Sequence, residues 1–363
     1  MLDEGKEMGK NENHMVRILP INENPIVDGY THHAYSQAIL TNLENWKLLK
    51  VWGYENWFYS NYIQLISKDR NSECFSLPID FFVGDVDHVN DYNYIPFLSA
   101  QYSDKQGVWR VGNEVDYMVQ LIEAGYYVEC TINEKYVPGT LSYENKDFYH
   151  QTLFYGFDLE KEIFYIFHFE ADGHFRANKL TFKQFEKSFT TSHNVEDVNW
   201  IEKVKLLKIK EPEYYFPMDL ELIKYSLKEY LEKRNTFRMI HYAITEFPKN
   251  FGLDIYSDVI YYLTEYYGDE RILHLLLLHK IVMCKRIDYL YENKCLDRVS
   301  YEKLKEMAEN IKNNANVQKY RYIKCFLTER KNLGKIERDL ILMREEEKKL
   351  YEMLLECLDK HNV

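Results

Sequence analysis

The spacing of apolar residues changes character at EPEYYFP, residues 211–217, and that change limits the folds open to this chain. Its two prolines interrupt regular structure. Beyond it, nearly every segment repeats its apolar residues at helical spacing. MDLELIKYSLKEYLEKR, IYSDVIYYLTEYYG, DERILHLLLLHKIVMCKRIDYLYEN and SYEKLKEMAENIKNN each read as a helix with a charged face. IERDLILMREEEKKLYEMLLECL places Ile336, Leu340, Met343, Leu350, Leu354 and Cys357 near heptad spacing. Such a seam needs a partner helix, within the chain or in a homodimer. Before residue 211, short apolar runs, turns and single helices alternate. The expected architecture is α+β with an antiparallel sheet, followed by an all-α part. We place a flexible leader at 1–24, an α+β domain at 25–210 and a helical domain at 218–363.

Within the first part, DGYTHHAYSQAILTNLENW predicts a helix from about Thr31, capped by Asp28 or Thr31. WFYSNYIQLIS and LPIDFFVGD read as strands, or as a strand after a turn. NEVDYMVQLIEAGYYVEC gives a helix with Val115, Met118, Val119 and Ile122 on one face, a stop at Gly125 and a strand after it. LTFKQFEKSF reads as a short amphipathic helix and WIEKVKLLKIK as one more strand.

Charge and composition exclude several classes. The chain has 46 basic and 58 acidic residues, a formal charge of −12, and no basic block, which argues against nucleic acid as a partner. No apolar run is long enough to span a membrane. The charged N-terminus lacks a signal-peptide core, and the six cysteines form no C-x-x-C pair, so reduced thiols and a cytoplasmic location are expected. The 32 tyrosines predict a core of aromatic bodies whose hydroxyls find partners.

HQTLFYGFDLEKEIFYIFHF, residues 150–169, reads as a β-hairpin with a Gly-Phe-Asp turn and a histidine near each outer end. Gly156 relieves the backbone there and Asp158 serves the turn. The pattern H-x-x-L-x-Y-G-[FY]-D followed by an aromatic strand resembles the papain-like superfamily. It is similar to leader-peptide-cleaving cysteine peptidases and to the N-terminal domain of the butirosin-pathway acyltransferase. The resemblance covers roughly residues 20–200. The helical half resembles extensions of relatives in peptide-antibiotic gene clusters.

That resemblance implies a cleft. The catalytic base position falls on His150, the orienting carboxylate position on His168, and the nucleophilic cysteine position on His33 in THHAY, with His32 matching the family's preceding histidine. A thiolate at a helix N-terminus beside an imidazolium is the family's chemistry; the first helix here has no cysteine, and the nearest is Cys74. Ser36, one turn on, needs a close base to act instead. The resemblance implies an acyl-transfer or amide-forming protein of specialised-metabolite biosynthesis with a remodelled cleft, or a catalytically inactive scaffold or binding subunit of such a pathway. The implied partner is an acyl carrier protein or a pathway enzyme. Lys203 to Lys210 would supply a basic patch for an acidic carrier. No cofactor is expected on the acyl-transfer reading. A speculative alternative gathers His33, His150 and His168 around a divalent metal; the bland reading leaves all three as ordinary hydrogen-bonded histidines.

Other candidates carry less. Trp57, Tyr59 and Tyr62 in WGYENWFYSNYIQL read as the lining of an acyl or peptide groove, or as core with tyrosine tips outward. Glu170 and Asp172 stand close enough in sequence to His168 to replace a lost carboxylate by a small shift. His274 and His279 are five apart and point away from each other, so one is expected in the core and the other toward solvent, with His279-Lys280 touching the first domain as a further option. DVDHVNDYN, residues 85–93, lacks the glycine and final glutamate of a calcium loop.

Overall fold

A computed structural model describes residues 15–29, 31–67, 78–83, 92, 94–105, 107–108, 112–191, 203–236, 250–265, 269–328 and 333–361. The chain forms two compact units, each assembled from separated segments. One comprises Met1–Asn24, Ala38–Asn45 and Leu98–Lys210; the other comprises Pro25–Gln37, Trp46–Phe97 and Glu211–Val363.

The first unit is built on an antiparallel sheet. Its strands are β1 (Val16–Ile18), β4 (Leu98–Asp104), β5 (Tyr127–Asn133), β6 (Tyr149–Asp158), β7 (Ile163–Phe169), β8 (Phe175–Thr181) and β9 (Lys203–Ile209). The order is β4-β9-β5-β6-β7-β8. β6 pairs with β5 along its first half, through Asn133↔Tyr149 to Val128↔Phe154, and with β1 at its end, through Ile18↔Gly156 to Val16↔Asp158. The segment expected to be a leader thus contributes an edge strand. The predicted hairpin forms, with a register shift between Phe154 and Gly156, but Gly156 and Phe157 are paired strand residues and the turn follows at 159–162. Gly156 serves close approach and not an unusual φ: a Cβ there would meet the Arg17 carbonyl oxygen and Ile18 Cα of β1. The Asp158 carboxylate accepts from the Lys161 backbone N–H at 3.0 Å and closes the turn.

Two of the described helices pack on this sheet. α4 (Glu114–Glu123) starts where the Asn113 side chain accepts from the Asp116 N–H, buries Val115, Met118 and Ile122, and stops before Gly125 at φ 85°. α5 (Phe182–Thr191) sets Phe185 against Phe154 and Phe164, with centroids 5.3 and 5.0 Å away.

The second unit is mainly helical. Its elements are α3 (Tyr54–Asn61), the two-stranded β2 (Leu65–Ser67) and β3 (Ile79–Phe81), α6 (Leu220–Leu231), α7 (Ile255–Glu265), α8 (Arg271–Glu292), α9 (Arg298–Leu327) and α10 (Gly334–His361). α1 (Thr31–Leu40) and α2 (Leu43–Val51) cross the division, α1 at Gln37 and α2 at Asn45. Strand was expected over WFYSNYIQLIS, residues 57–67; residues 57–61 instead belong to helix α3, and strand follows at Leu65–Ser67. Tyr54, Trp57 and Phe58 fall at i, i+3 and i+4, so they share one buried helical face. Ile336, Leu340, Met343, Leu350 and Leu354 of α10 are buried within the chain, so the heptad-like seam already has its partner helices. No described helix is long and apolar enough to cross a membrane.

Charged groups enter this core. Arg286 of α8 is fully buried and donates to the Tyr59 and Tyr62 carbonyl oxygens, satisfying the end of α3. Gly252 adopts φ 57°, and a Cβ there would collide with the Tyr230 carbonyl oxygen. We expect Gly252→Ala to cost at least about 1–3 kcal/mol from the left-handed backbone alone, read as a lowered denaturant midpoint. An unchanged midpoint would contradict this packing.

Candidate functional site

The first unit brings histidines and carboxylates together on one face of its sheet. β5 delivers Glu134 directly after Asn133, at the start of a short 3-10 turn. Asn133 holds that turn: its side chain accepts from the Lys135 and Phe148 N–H groups and donates to Asp147. The Glu134 N–H also bonds to the Phe148 carbonyl oxygen at 2.8 Å. On β6, His150 pairs with Ile132. Side chains alternate along β5, so the face that carries Ile132 also receives Glu134 two residues on.

The outcome is a hydrogen-bonded dyad. His150 Nδ1 lies 2.9 Å from Glu134 Oε1. A carboxylate oxygen accepts, so Nδ1 is the donor in this contact, and the tautomer that fits it leaves the Nε2 lone pair free. The His150 side chain is 25% exposed and that of Glu134 8%: the orienting group is sheltered while the ring reaches the surface. Phe148 and Phe169 flank the ring at 5.9 and 6.5 Å between centroids.

His168 lies on the same face. One step beyond the last ladder pair, Leu153↔Phe167, it stands opposite Thr152, two residues from His150. It is 1% exposed, and neither ring nitrogen has a hydrogen-bond partner among the described residues. Glu170 Oε1 is 3.5 Å from His168 Nε2, too poorly placed for a hydrogen bond, and accepts instead from Asn178 at 2.7 Å. Burial, with a smaller push from His150, lowers the His168 pKa to about 4. His168 is therefore neutral at pH 7. Asp172 is engaged by Arg176 and by the His174 N–H.

His33 belongs to the second unit, with its own partners. It is fully buried in the first turn of α1, with Nδ1 3.2 Å from the Tyr62 hydroxyl and Nε2 3.1 Å from Asp80 Oδ1. His32 Nε2 lies 3.9 Å from Asp80 Oδ2. Ser36 donates its hydroxyl to the His33 carbonyl oxygen, so that hydroxyl is committed within the helix. Trp57 and Tyr62 are buried in an aromatic cluster with Tyr54, Phe58 and Phe97, and the Tyr59 ring lies tilted against Tyr289 with centroids 4.7 Å apart.

Three buried thiols have the wrong character for nucleophiles. The five described cysteines are free. Burial pushes Cys130 up to about 12 and Cys284 to about 11, and raises Cys295. Cys74 and most of residues 85–93 lie outside the described residues. The Lys203–Lys210 patch is smaller than its sequence promised. Lys205 points inward to a buried ion pair with Glu129 at 2.9 Å, leaving Lys208 and Lys210 exposed.

Sequence reading missed Glu134. Its signal was weak: one acidic residue directly after a strand, in a register that only the pairing of β5 with β6 reveals. His274 is partly exposed and His279 fully buried; His274 bonds Asp28, and His279 bonds the Ile63 carbonyl oxygen, all within the second unit. No protein-family model matches the sequence, and no curated protein matches it.

Proposed function

We propose that this chain is an acyl-transfer or amide-forming protein in which His150, oriented by Glu134, is the general base. The observation that carries the reading is the 2.9 Å His150–Glu134 contact on a ring that reaches solvent. In the proposed step, His150 Nε2 takes the proton of an acceptor amine or hydroxyl as it attacks a thioester carbonyl. The new C–N or C–O bond forms, the C–S bond breaks, and the imidazolium returns its proton to the departing thiolate. Glu134 stabilises the transient imidazolium and is not itself protonated. This route needs no acyl-enzyme, which suits a site whose nearby thiol, Cys130, is held protonated by burial. The antiparallel sheet and the histidine opening its hairpin are compatible with a papain-like ancestry in specialised-metabolite synthesis. Free cysteines fit a cytoplasmic setting. An acyl carrier protein or a pathway enzyme is the proposed partner.

A non-catalytic scaffold or binding subunit is the second reading, favoured by the upward shift of the Cys130, Cys284 and Cys295 thiols. A panel of acyl-pantetheine thioesters with amine and alcohol acceptors separates the two. On the enzyme reading, transfer occurs and His150→Ala slows it by about 10²- to 10⁴-fold. Transfer that survives His150→Ala intact places the chemistry elsewhere. No transfer, together with a stable complex with a carrier protein, supports the scaffold.

A further inference from the structure

His32, His33 and Asp80 form the one grouping among the described residues in which three metal-binding side chains offer donor atoms all within 4.8 Å of one another. We propose that this grouping is a binding site for one first-row divalent cation, zinc in preference. The inference stands apart from the acyl-transfer reading, which rests on other residues.

Local structure explains the convergence. His32 and His33 occupy the first turn of α1, where successive side chains diverge by about 100°, yet their ring centroids are only 4.1 Å apart, tilted by 43°. Asp80 sits between two buried residues of β3, Ile79 and Phe81, so its side chain leaves by the opposite face of the strand. Each of its oxygens faces a different imidazole: Oδ1 is 3.1 Å from His33 Nε2 and Oδ2 is 3.9 Å from His32 Nε2. Bonds of about 2.0–2.2 Å to a tetrahedral cation set donor separations near 3.4 Å. The carboxylate-to-imidazole distances already bracket that value, and a modest rotation of His32 brings the third donor in.

The donor chemistry selects the ion. Two imidazole nitrogens and one carboxylate oxygen suit zinc and its first-row neighbours better than calcium or magnesium, which favour all-oxygen shells. Three protein ligands leave a fourth position for water or a substrate oxygen, the arrangement of catalytic zinc sites. Asp80 also supplies the negative charge that offsets the positive end of α1.

The surroundings hold the ligands in place. His33 Nδ1 is 3.2 Å from the Tyr62 hydroxyl, with the Tyr94 hydroxyl at 3.5 Å. A metal ligand's second ring nitrogen needs such a partner to fix ring orientation and tautomer. On binding, His33 shifts its proton to Nδ1, donates to the Tyr62 oxygen and frees Nε2 for the cation. Phe81 lies edge-on at 5.8 Å and keeps that side dry. His33 is fully buried, while the His32 and Asp80 side chains are each 13% exposed, which gives the ion a way in.

The test is direct binding to the full chain. Protein stripped by chelation is titrated with zinc by calorimetry, and cobalt(II) is added separately to read coordination from its visible absorption. We expect one equivalent of zinc and a cobalt spectrum of low coordination number. Asp80→Asn and His32→Ala each weaken zinc binding by at least about 10–100-fold, the loss typical of outer-shell changes. His150→Ala leaves zinc affinity unchanged. His33→Ala risks the fold, so the two partly exposed positions carry the test, with circular dichroism confirming that the variants are folded. Less than about a tenth of an equivalent bound, or one equivalent whose affinity neither variant alters, overturns the proposal.

Discussion

Glu347→Ala is expected to destabilise the second unit by about 3–5 kcal/mol, the usual result of stranding a buried charge. Glu347 lies on α10, 1% exposed. Its Oε1 accepts from Lys280 Nζ at 2.5 Å and from the Tyr351 hydroxyl at 2.9 Å, and its Oε2 from the Tyr256 hydroxyl at 2.8 Å and the Tyr230 hydroxyl at 3.3 Å. Lys280 is itself 2% exposed and also reaches His279 Nδ1 at 3.0 Å. Four helices, α6, α7, α8 and α10, thus converge on one carboxylate. Burial pulls the Lys280 pKa down, and Glu347 opposes that pull. Removing Glu347 leaves an ammonium and three hydroxyls without their acceptor. The measurement is the denaturant midpoint of the variant against the parent. A companion, Lys280→Met with Glu347→Leu, should recover the part of the loss due to the stranded ammonium, because an apolar pair removes both charges together, while the three hydroxyls still lack their acceptor. A single-variant cost below about 1 kcal/mol would show that the network is solvated, contrary to its burial.

The second large effect is on acid stability through His168. Its ordinary pKa of 6.5 falls to about 4 in the folded state, chiefly through burial. The unfolded chain therefore takes up a proton at a pH where the folded chain does not. The neutral ring's contribution is fully present above pH 6.5 and is lost as the pH falls toward about 4. A shift of this size corresponds to about 3 kcal/mol between those limits. His168→Leu should flatten the pH dependence of stability between pH 7 and pH 4.5 relative to the parent. Carboxylates contribute their own acid slope in both proteins, so the difference between the two curves is the quantity to read. Superimposable curves would mean that Glu170 captures the protonated ring and holds it, against the 3.5 Å geometry.

Much of the fold was legible because local chemistry and tertiary structure agree. The hairpin declared itself through its two aromatic runs, but its turn was placed too early: Gly156, Phe157 and Asp158 are paired residues of β6, and the chain reverses at 159–162. α4 carried its cap at Asn113, its apolar face and its glycine stop in sequence order. The late helices repeat their apolar residues at helical spacing, and their seams close within the chain. The second half of α3 was misread because Trp57, Phe58 and Tyr59 are residues that strands favour, while the helical spacing of Trp57 and Phe58 from Tyr54 was the stronger guide. β4 and β8 escaped notice because they are outer strands with half-exposed polar positions and no clean alternation. The charged faces concealed the most. Lys205, Lys280, Arg286 and Glu347 looked like solvated residues on amphipathic elements, and only tertiary pairing shows them buried.

The site was half legible for a related reason. His150 sits where its motif predicted, at the opening of the hairpin. Its carboxylate partner comes from the turn that follows the neighbouring strand β5, sixteen residues earlier, and not from the far end of the hairpin. His168, assigned by position to an orienting role, instead lies buried and neutral behind His150. His33 has Asp80 as its partner across forty-seven residues, a separation that no spacing rule reads. Long-range register, set by the β5–β6 and β2–β3 pairings, decides both partnerships.

The most direct measurement of the central claim is the protonation pattern of the His150 ring, observed by ¹⁵N NMR on selectively labelled protein near neutral pH. With Glu134 holding the ring, the neutral form is expected to carry its proton on Nδ1, and Glu134→Gln to redistribute that proton between the two nitrogens. A proton on Nε2 in the parent protein, or a spectrum that Glu134→Gln leaves unaltered, would contradict it, because the nitrogen offered to an acceptor would then not be a base.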